Sequence, residues 1–194
     1  MRLIKNTTAL MLGLALLLAS CSQKDTHHKV VISIPEQRMV VYKDATPLAE
    51  YSVSTSKFGV GDRPRSYATP LGNLEVGRKI GDGAPAGAVF KSRRRTGEVL
   101  APDTPGRDPI VTRILWLRGM DPENRNAFSR DIYIHGTPEE RNIGRPVSYG
   151  CIRMKSRDVI DLFNTVGTGA KVEIINSPLA PLTPLASDGN NFGG

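Results

Sequence analysis

Hydrophobic residues alternate with polar ones in short runs over most of this chain, and only once do they adopt a helical period. Lys29-Val-Val-Ile-Ser-Ile34, a Pro-Glu-Gln break and Arg38-Met-Val-Val-Tyr42 predict a β-hairpin. Ala49 to Ser56, with Tyr51, Val53 and Thr55 on one side, predicts a third strand, and Gly72 to Val76 a short fourth. Ile110 to Leu117 alternates through Val111, Arg113 and Leu115, and Asp131 to Ile134 is a further apolar β run. Val159, Ile160, Leu162, Phe163 and Val166 then fall at helical spacing, with Ser156 as the expected cap, Asp158 in the first turn, and Gly167 and Gly169 as the stop. Ala170 to Ile175 reads as a closing strand. Residues 57–72 and 81–109 are rich in Gly, Pro, Asp and Arg. The first predicts a loop, and the second a long irregular insertion with one apolar patch at Ala88-Val89-Phe90. A β-dominated domain with one or two short helices follows.

The two ends stand apart from this pattern. Arg2 and Lys5 precede a short apolar run from Ala9 to Leu18, and Leu18-Ala-Ser-Cys21 follows, which suits an export signal better than a membrane span. The expected organisation is a signal peptide over 1–20, a polar tether over 21–28, a folded domain over 29–176 and a disordered tail over 177–194. His27 and His28 carry no metal expectation at that place. With 194 residues, 39% of them hydrophobic and 23% charged, the chain is long enough for one real core. Its formal net charge of +7 loses two positive charges with Arg2 and Lys5. An exported basic protein points toward anionic envelope polymers or headgroups, or to solubility alone, and away from nucleic acid.

Two cysteines exclude a disulfide scaffold and a four-cysteine zinc site. If Cys21 is consumed at the processing site, Cys151 is a solitary thiol in a compartment that favours disulfides, which asks for a reason. A reactive cysteine needs help to ionise, and an imidazole nearby both supplies that help and carries protons for the amines. His135 ends a predicted strand, and a polar loop separates it from Cys151. Gly150 allows a tight turn, so that the amides of Tyr149, Gly150 and Cys151 can converge on one oxyanion. Arg153, two residues on, shares a strand face with Cys151 and brings a cation. Asp103 and Asp108 lie among prolines and read as turn residues, and Arg93-Arg94-Arg95 as a solvated run. No phosphate-binding glycine loop, helical histidine pair or other cofactor motif is present.

His135-Gly136-Thr137 with Ser148-Tyr-Gly-Cys-Ile-Arg-Met154 resembles the signature of the L,D-transpeptidase (YkuD-type) catalytic domain. Thr69-Pro-Leu-Gly-Asn-Leu74, the opening hairpin and the Gly167–Val172 close fit the same pattern, so the resemblance spans about residues 29–176. Leu18-Ala-Ser-Cys21 likewise resembles a bacterial lipobox, with Cys21 as the lipidated residue. The family resemblance implies a mainly β sandwich or mixed sheet with long active-site loops, acting on peptidoglycan stem peptides without a cofactor. By position, Cys151 is the implied nucleophile and His135 the general base and acid. Tyr149, Gly150 and Cys151 supply oxyanion amides, Arg153 orients the site or the donor carboxylate, and Ser148 and Gly136 support the imidazole. Tyr149 departs from the usual His. The thioester would pass to an amine of a second stem peptide or of an envelope protein. The alternatives are hydrolysis of the same acyl-enzyme, as in an L,D-carboxypeptidase or endopeptidase, and a non-catalytic peptidoglycan tether. The implied location is the envelope, a lipoprotein facing the periplasm, on the outer membrane in a Gram-negative cell.

Overall fold

The computed structural model of the chain describes residues 23–181. The apolar run, Cys21 and most of the C-terminal tail lie outside the described residues. Ten strands occur in the order β1 His28–Ser33, β2 Arg38–Lys43, β3 Thr46–Ser52, β4 Gly72–Ile80, β5 Ala88–Lys91, β6 Arg94–Val99, β7 Ile110–Gly119, β8 Tyr133–Gly136, β9 Ile152–Met154 and β10 Lys171–Ile175. Among the described residues one α-helix, α1, covers Ser156–Thr165.

All ten strands belong to one mixed sheet. Its main path runs β3-β2-β1-β10-β4-β7-β5-β6, and β8 and β9 extend from the other edge of β7. Only β1–β10 and β8–β9 are parallel. The sheet rolls until its ends meet: just past β3, Ser54 exchanges two backbone hydrogen bonds with Arg153, at 2.8 and 2.9 Å. Closure of this kind removes exposed strand edges.

Alternation sorts each strand into an inner and an outer face. Val30, Ile32, Met39, Val41, Leu74, Val76, Leu115, Leu117, Ile134, Ile152, Met154, Val172 and Ile174 fill the inner core, and Val159, Leu162 and Phe163 of α1 pack against them. On the outer face, Ile114, Trp116 and Tyr133 meet Ala84, Ala88 and Phe90 in a second cluster, against which Cys151 packs. His135 and Arg153, paired across β8 and β9, therefore face the same side as Cys151. The frame-shift of one residue between core and site is inherent in the strand period of two.

Several expectations are corrected here. The 81–109 segment contains a hairpin, β5–β6, turned at Ser92 and Arg93 with φ of 49° and 64°. Arg93 is not free in solvent: its guanidinium lies 4.5 Å from the Trp116 ring and donates to Asp131 and to the Tyr133 hydroxyl, each at 2.9 Å. β3 begins earlier than expected, because Asp44 and Ala45 take positive φ and turn the chain directly out of β2. Ser156 does not cap α1. Lys155 occupies that place, the Ser156 amide donates to the Glu140 carboxylate at 2.8 Å, and the Ser156 hydroxyl bonds Thr112 at 2.8 Å. The far end of the helix is held by Lys79, whose ammonium donates to the carbonyls of Phe163 and Val166 at 2.6 and 2.7 Å. Part of the expected tether is docked: Asp25 accepts from the Gly167 amide at 2.6 Å and from the His28 amide at 3.0 Å.

Candidate active site

The Ser148–Cys151 turn is held by the hydroxyls of Ser148 and Thr69. The Ser148 amide donates to the Thr55 carbonyl at 2.9 Å, and its hydroxyl donates to the Cys151 carbonyl at 2.5 Å while accepting from the Gly150 amide at 3.2 Å. From outside, the fully buried Thr69 hydroxyl donates to the Gly150 carbonyl at 3.0 Å. Gly150 has φ of 117°, and a Cβ there would stand 3.2 Å from the Ala68 carbonyl oxygen and 3.3 Å from Ile132. Only glycine takes that backbone at low cost.

This turn delivers Cys151 to the start of β9, beside Tyr133. The sulfur accepts from the Tyr133 amide at 3.4 Å and donates to the Asp131 carbonyl at 3.3 Å. One side stays open: Cys151 lines a cavity of about 640 Å³ together with Arg65, Tyr67, Arg130, Ile132 and Tyr149. Burial pushes the thiol up to about 11, against the pull of the Tyr133 amide and the Arg153 cation. The resting sulfur is a neutral thiol at physiological pH.

His135 stands one rung further along β8 on the same face. From ordinary strand spacing its Cα lies about 8 Å from that of Cys151, a diagonal that two side chains can bridge. The imidazole is 4% exposed, and its Nδ1 lies 2.8 Å from the Gly136 carbonyl oxygen. A carbonyl only accepts, so Nδ1 carries the proton and Nε2 keeps its lone pair. Burial holds the imidazole down to about 4; the Gly136 carbonyl opposes that shift and the Arg153 cation adds to it. Gly136 is required because a Cβ there would lie 2.7 Å from the Val111 carbonyl oxygen.

Arg153 is buried at 8% exposure and ion-paired with Asp108. Asp108 also accepts from the Thr137 hydroxyl at 2.6 Å. Its reading as a plain turn residue is therefore corrected: it ties the loop before β7 to the strand that carries Arg153. Asp103 does behave as a turn residue, with φ of 58° and a carboxylate that accepts from the Arg141 amide at 3.0 Å.

Cys151, His135 and Arg153 are thus gathered on one face, and Gly136 joins them only through the carbonyl that Nδ1 meets. The Ser148 hydroxyl makes its hydrogen bonds within the cysteine turn and none to the imidazole. The Gly150 amide is engaged there too, so the expected set of three oxyanion donors falls to the amides of Tyr149 and Cys151, which have no turn or side-chain acceptor among the described residues. Tyr149 projects outward at 54% exposure. Thr69 and Asp108 are the participants that site-spotting in the sequence misses. Thr69 lies inside a motif already noted, whereas nothing local marks Asp108, whose partner arrives through the fold.

The L,D-transpeptidase catalytic domain (YkuD) family model matches residues 27–174. The chain is 27% identical over 172 residues to the probable L,D-transpeptidase YbiS of Escherichia coli strain K12, covering 86% of this chain and 50% of that protein. It is 30% identical over 156 residues to the probable L,D-transpeptidase YcfS of the same strain, covering 77% of this chain and 44% of that one. It therefore spans about half the length of these relatives. The solved structure of an L,D-transpeptidase from Mycobacterium smegmatis superposes with a TM-score of 0.50 at 19% identity, over 77% of this chain and 58% of that one, a likeness of fold. A rolled mixed sheet, the His-Gly and Ser-x-Gly-Cys elements on its outer face, and a family match across nearly all the described residues make this chain a member of the L,D-transpeptidase catalytic-domain family.

Proposed function

We propose that the chain is a cysteine acyltransferase of peptidoglycan. The observation that carries this reading is the thiol of Cys151 on the floor of an open cavity, one strand rung from an imidazole whose proton is locked on Nδ1. A stem tetrapeptide enters from the cavity. The thiol leaves the Asp131 carbonyl by rotation about its Cα–Cβ bond and turns toward Nε2 of His135. As sulfur attacks the carbonyl carbon of the third stem residue, its proton passes to Nε2. Transfer in concert with attack suits this pair, since neither a free thiolate nor an imidazolium is stable beforehand.

The tetrahedral oxyanion accepts from the Cys151 and Tyr149 amides, a contribution of roughly 3 kcal/mol for each well-placed donor. Collapse breaks the amide bond, and His135 gives its proton to the departing D-alanine nitrogen. An acceptor amine then attacks the thioester, its proton passes to Nε2, and the thiol re-forms as the new amide leaves. Arg153 favours negative charge on sulfur, and Asp108 keeps that cation in place. Acyl chains on Cys21 would hold the domain at the membrane face of the envelope, close to this substrate.

Defined tetrapeptide muropeptides incubated with wild type and with Cys151→Ala test the reading. Intact mass is expected to show a tripeptide acyl adduct on the wild type only, and products are expected to contain 3–3 linked dimers. Product formation by folded Cys151→Ala, or a wild type that forms no adduct, overturns it. Tripeptide without dimers would assign the second half-reaction to water.

A further inference from the structure

The loop over residues 57–67 and the Tyr149 side chain form a rim that the chemistry above leaves unused. Phe58, Tyr67 and Tyr149 are 52%, 57% and 54% exposed. Their rings nonetheless cluster, with centroids 5.5 to 5.6 Å apart. Of the seven large hydrophobic residues exposed among the described residues, four (Phe58, Val60, Tyr67 and Tyr149) belong to this rim. A concentration of wet rings beside a cavity is the signature of a binding surface, because water gains by leaving it.

The charge on the rim says what kind of group it takes. The Lys57 ammonium lies 4.5 Å from the Tyr149 ring centroid and 5.3 Å from that of Phe58, and donates to the Tyr149 hydroxyl at 3.1 Å. The ring faces hold the cation in place, and two of its three N–H donors remain for a ligand. Arg65, held in the left-handed region with φ of 62°, lines the same cavity as Cys151, Tyr67 and Tyr149. Among the described residues no carboxylate lies within ion-pair distance of Lys57, Arg63 or Arg65. The one acid of the loop, Asp62, is taken by buried Arg130 at 2.6 Å. Positive charge is therefore left uncompensated on one side of the thiol.

We propose that Lys57, set on the Phe58 and Tyr149 rings, and Arg65, on the cavity wall with Tyr67 and Tyr149, form a subsite for a free carboxylate of the stem peptide outside the scissile bond. This assignment rests on the stem-peptide reading above. The rings cover apolar parts of the bound chain, and the two cations supply charge-assisted hydrogen bonds to the carboxylate. Arg153, closed off by Asp108, leaves that task to the rim.

The test uses two stem tetrapeptides, one with free side-chain carboxylates and one with those groups converted to carboxamides. Calorimetric binding to the Cys151→Ala chain separates recognition from catalysis. The free acid is expected to bind about tenfold tighter than the amide, and Lys57→Gln/Arg65→Gln is expected to erase that ratio while leaving amide binding within twofold. On the wild-type background the same double substitution is expected to lower kcat/KM for the acid only, with the rate of Cys151 alkylation by neutral iodoacetamide unchanged. Equal affinity for acid and amide, equal losses on both, or no binding of either peptide overturns the subsite. A preserved binding ratio without acyl-enzyme formation would instead overturn the catalytic reading and leave the subsite standing.

Discussion

Asp108→Asn probes the link between buried electrostatics and the reactive pair. The substitution keeps the shape and one acceptor for the Thr137 hydroxyl, but removes the charge that faces Arg153. The two side chains are 18% and 10% exposed, so the pair is mostly but not fully withdrawn from water. Leaving one member of a buried pair alone costs about 3–5 kcal/mol, and residual solvent lowers that here to roughly 2–3 kcal/mol. For a domain of this size that corresponds to a fall in Tm of about 4–12 °C by scanning calorimetry. The kinetic consequence separates charge from simple loosening. With Asp108 gone, the Arg153 cation acts unopposed on both neighbours. It draws the Cys151 thiol down and holds His135 still further below its ordinary value, in the directions it already exerts. Alkylation by iodoacetamide at pH 8 is therefore expected to quicken while stem-peptide turnover slows. An unchanged Tm, or alkylation and turnover falling together, would refute the reasoning.

Three further outcomes follow from the same geometry. Because His135 is held down to about 4 against an ordinary 6.5, its burial stabilises the fold fully above pH 6.5 and progressively less as pH falls toward 4. The Tm difference between wild type and His135→Gln should change across that window and be flat above it; no pH dependence of the difference would contradict the buried neutral imidazole. Gly136→Ala places a Cβ 2.7 Å from the Val111 carbonyl oxygen, so a loss of about 1–3 kcal/mol in urea unfolding is expected, together with a fall in turnover because the carbonyl that orients His135 must move. Glu140→Gln weakens the acceptor of the Ser156 amide at the start of α1, and a cost of about 0.5–1 kcal/mol is expected by the same assay. Unaltered stability would show that the helix end is satisfied by solvent.

The sequence by itself determined the strands whose two faces differ in polarity. In β1 and β10 one side meets the core, so alternation is written into the residues, whereas β2 and β7 read as strands by their apolar β-formers. It also carried the His135-Gly136 and Ser148-Tyr-Gly-Cys151 elements, both within the span that the family model matches. The β5–β6 hairpin was not legible: β6 is exposed along its whole length and carries no alternation, and its turn uses Ser92 and Arg93 in place of the usual Asn or Gly. The cap of α1 was hidden for another reason. A serine at a helix start reads as a cap, but Glu140 arrives from a distant segment and the serine turns inward to Thr112. Only the tertiary structure decided that Ser148 serves the cysteine turn and not the imidazole, that Asp108 closes on Arg153, and that Tyr149 joins two rings and a lysine on the rim. The last two are pairings between segments far apart in the chain. Local patterns record which face of a strand is buried, whereas a partner in space is chosen only when the sheet rolls and brings its ends together.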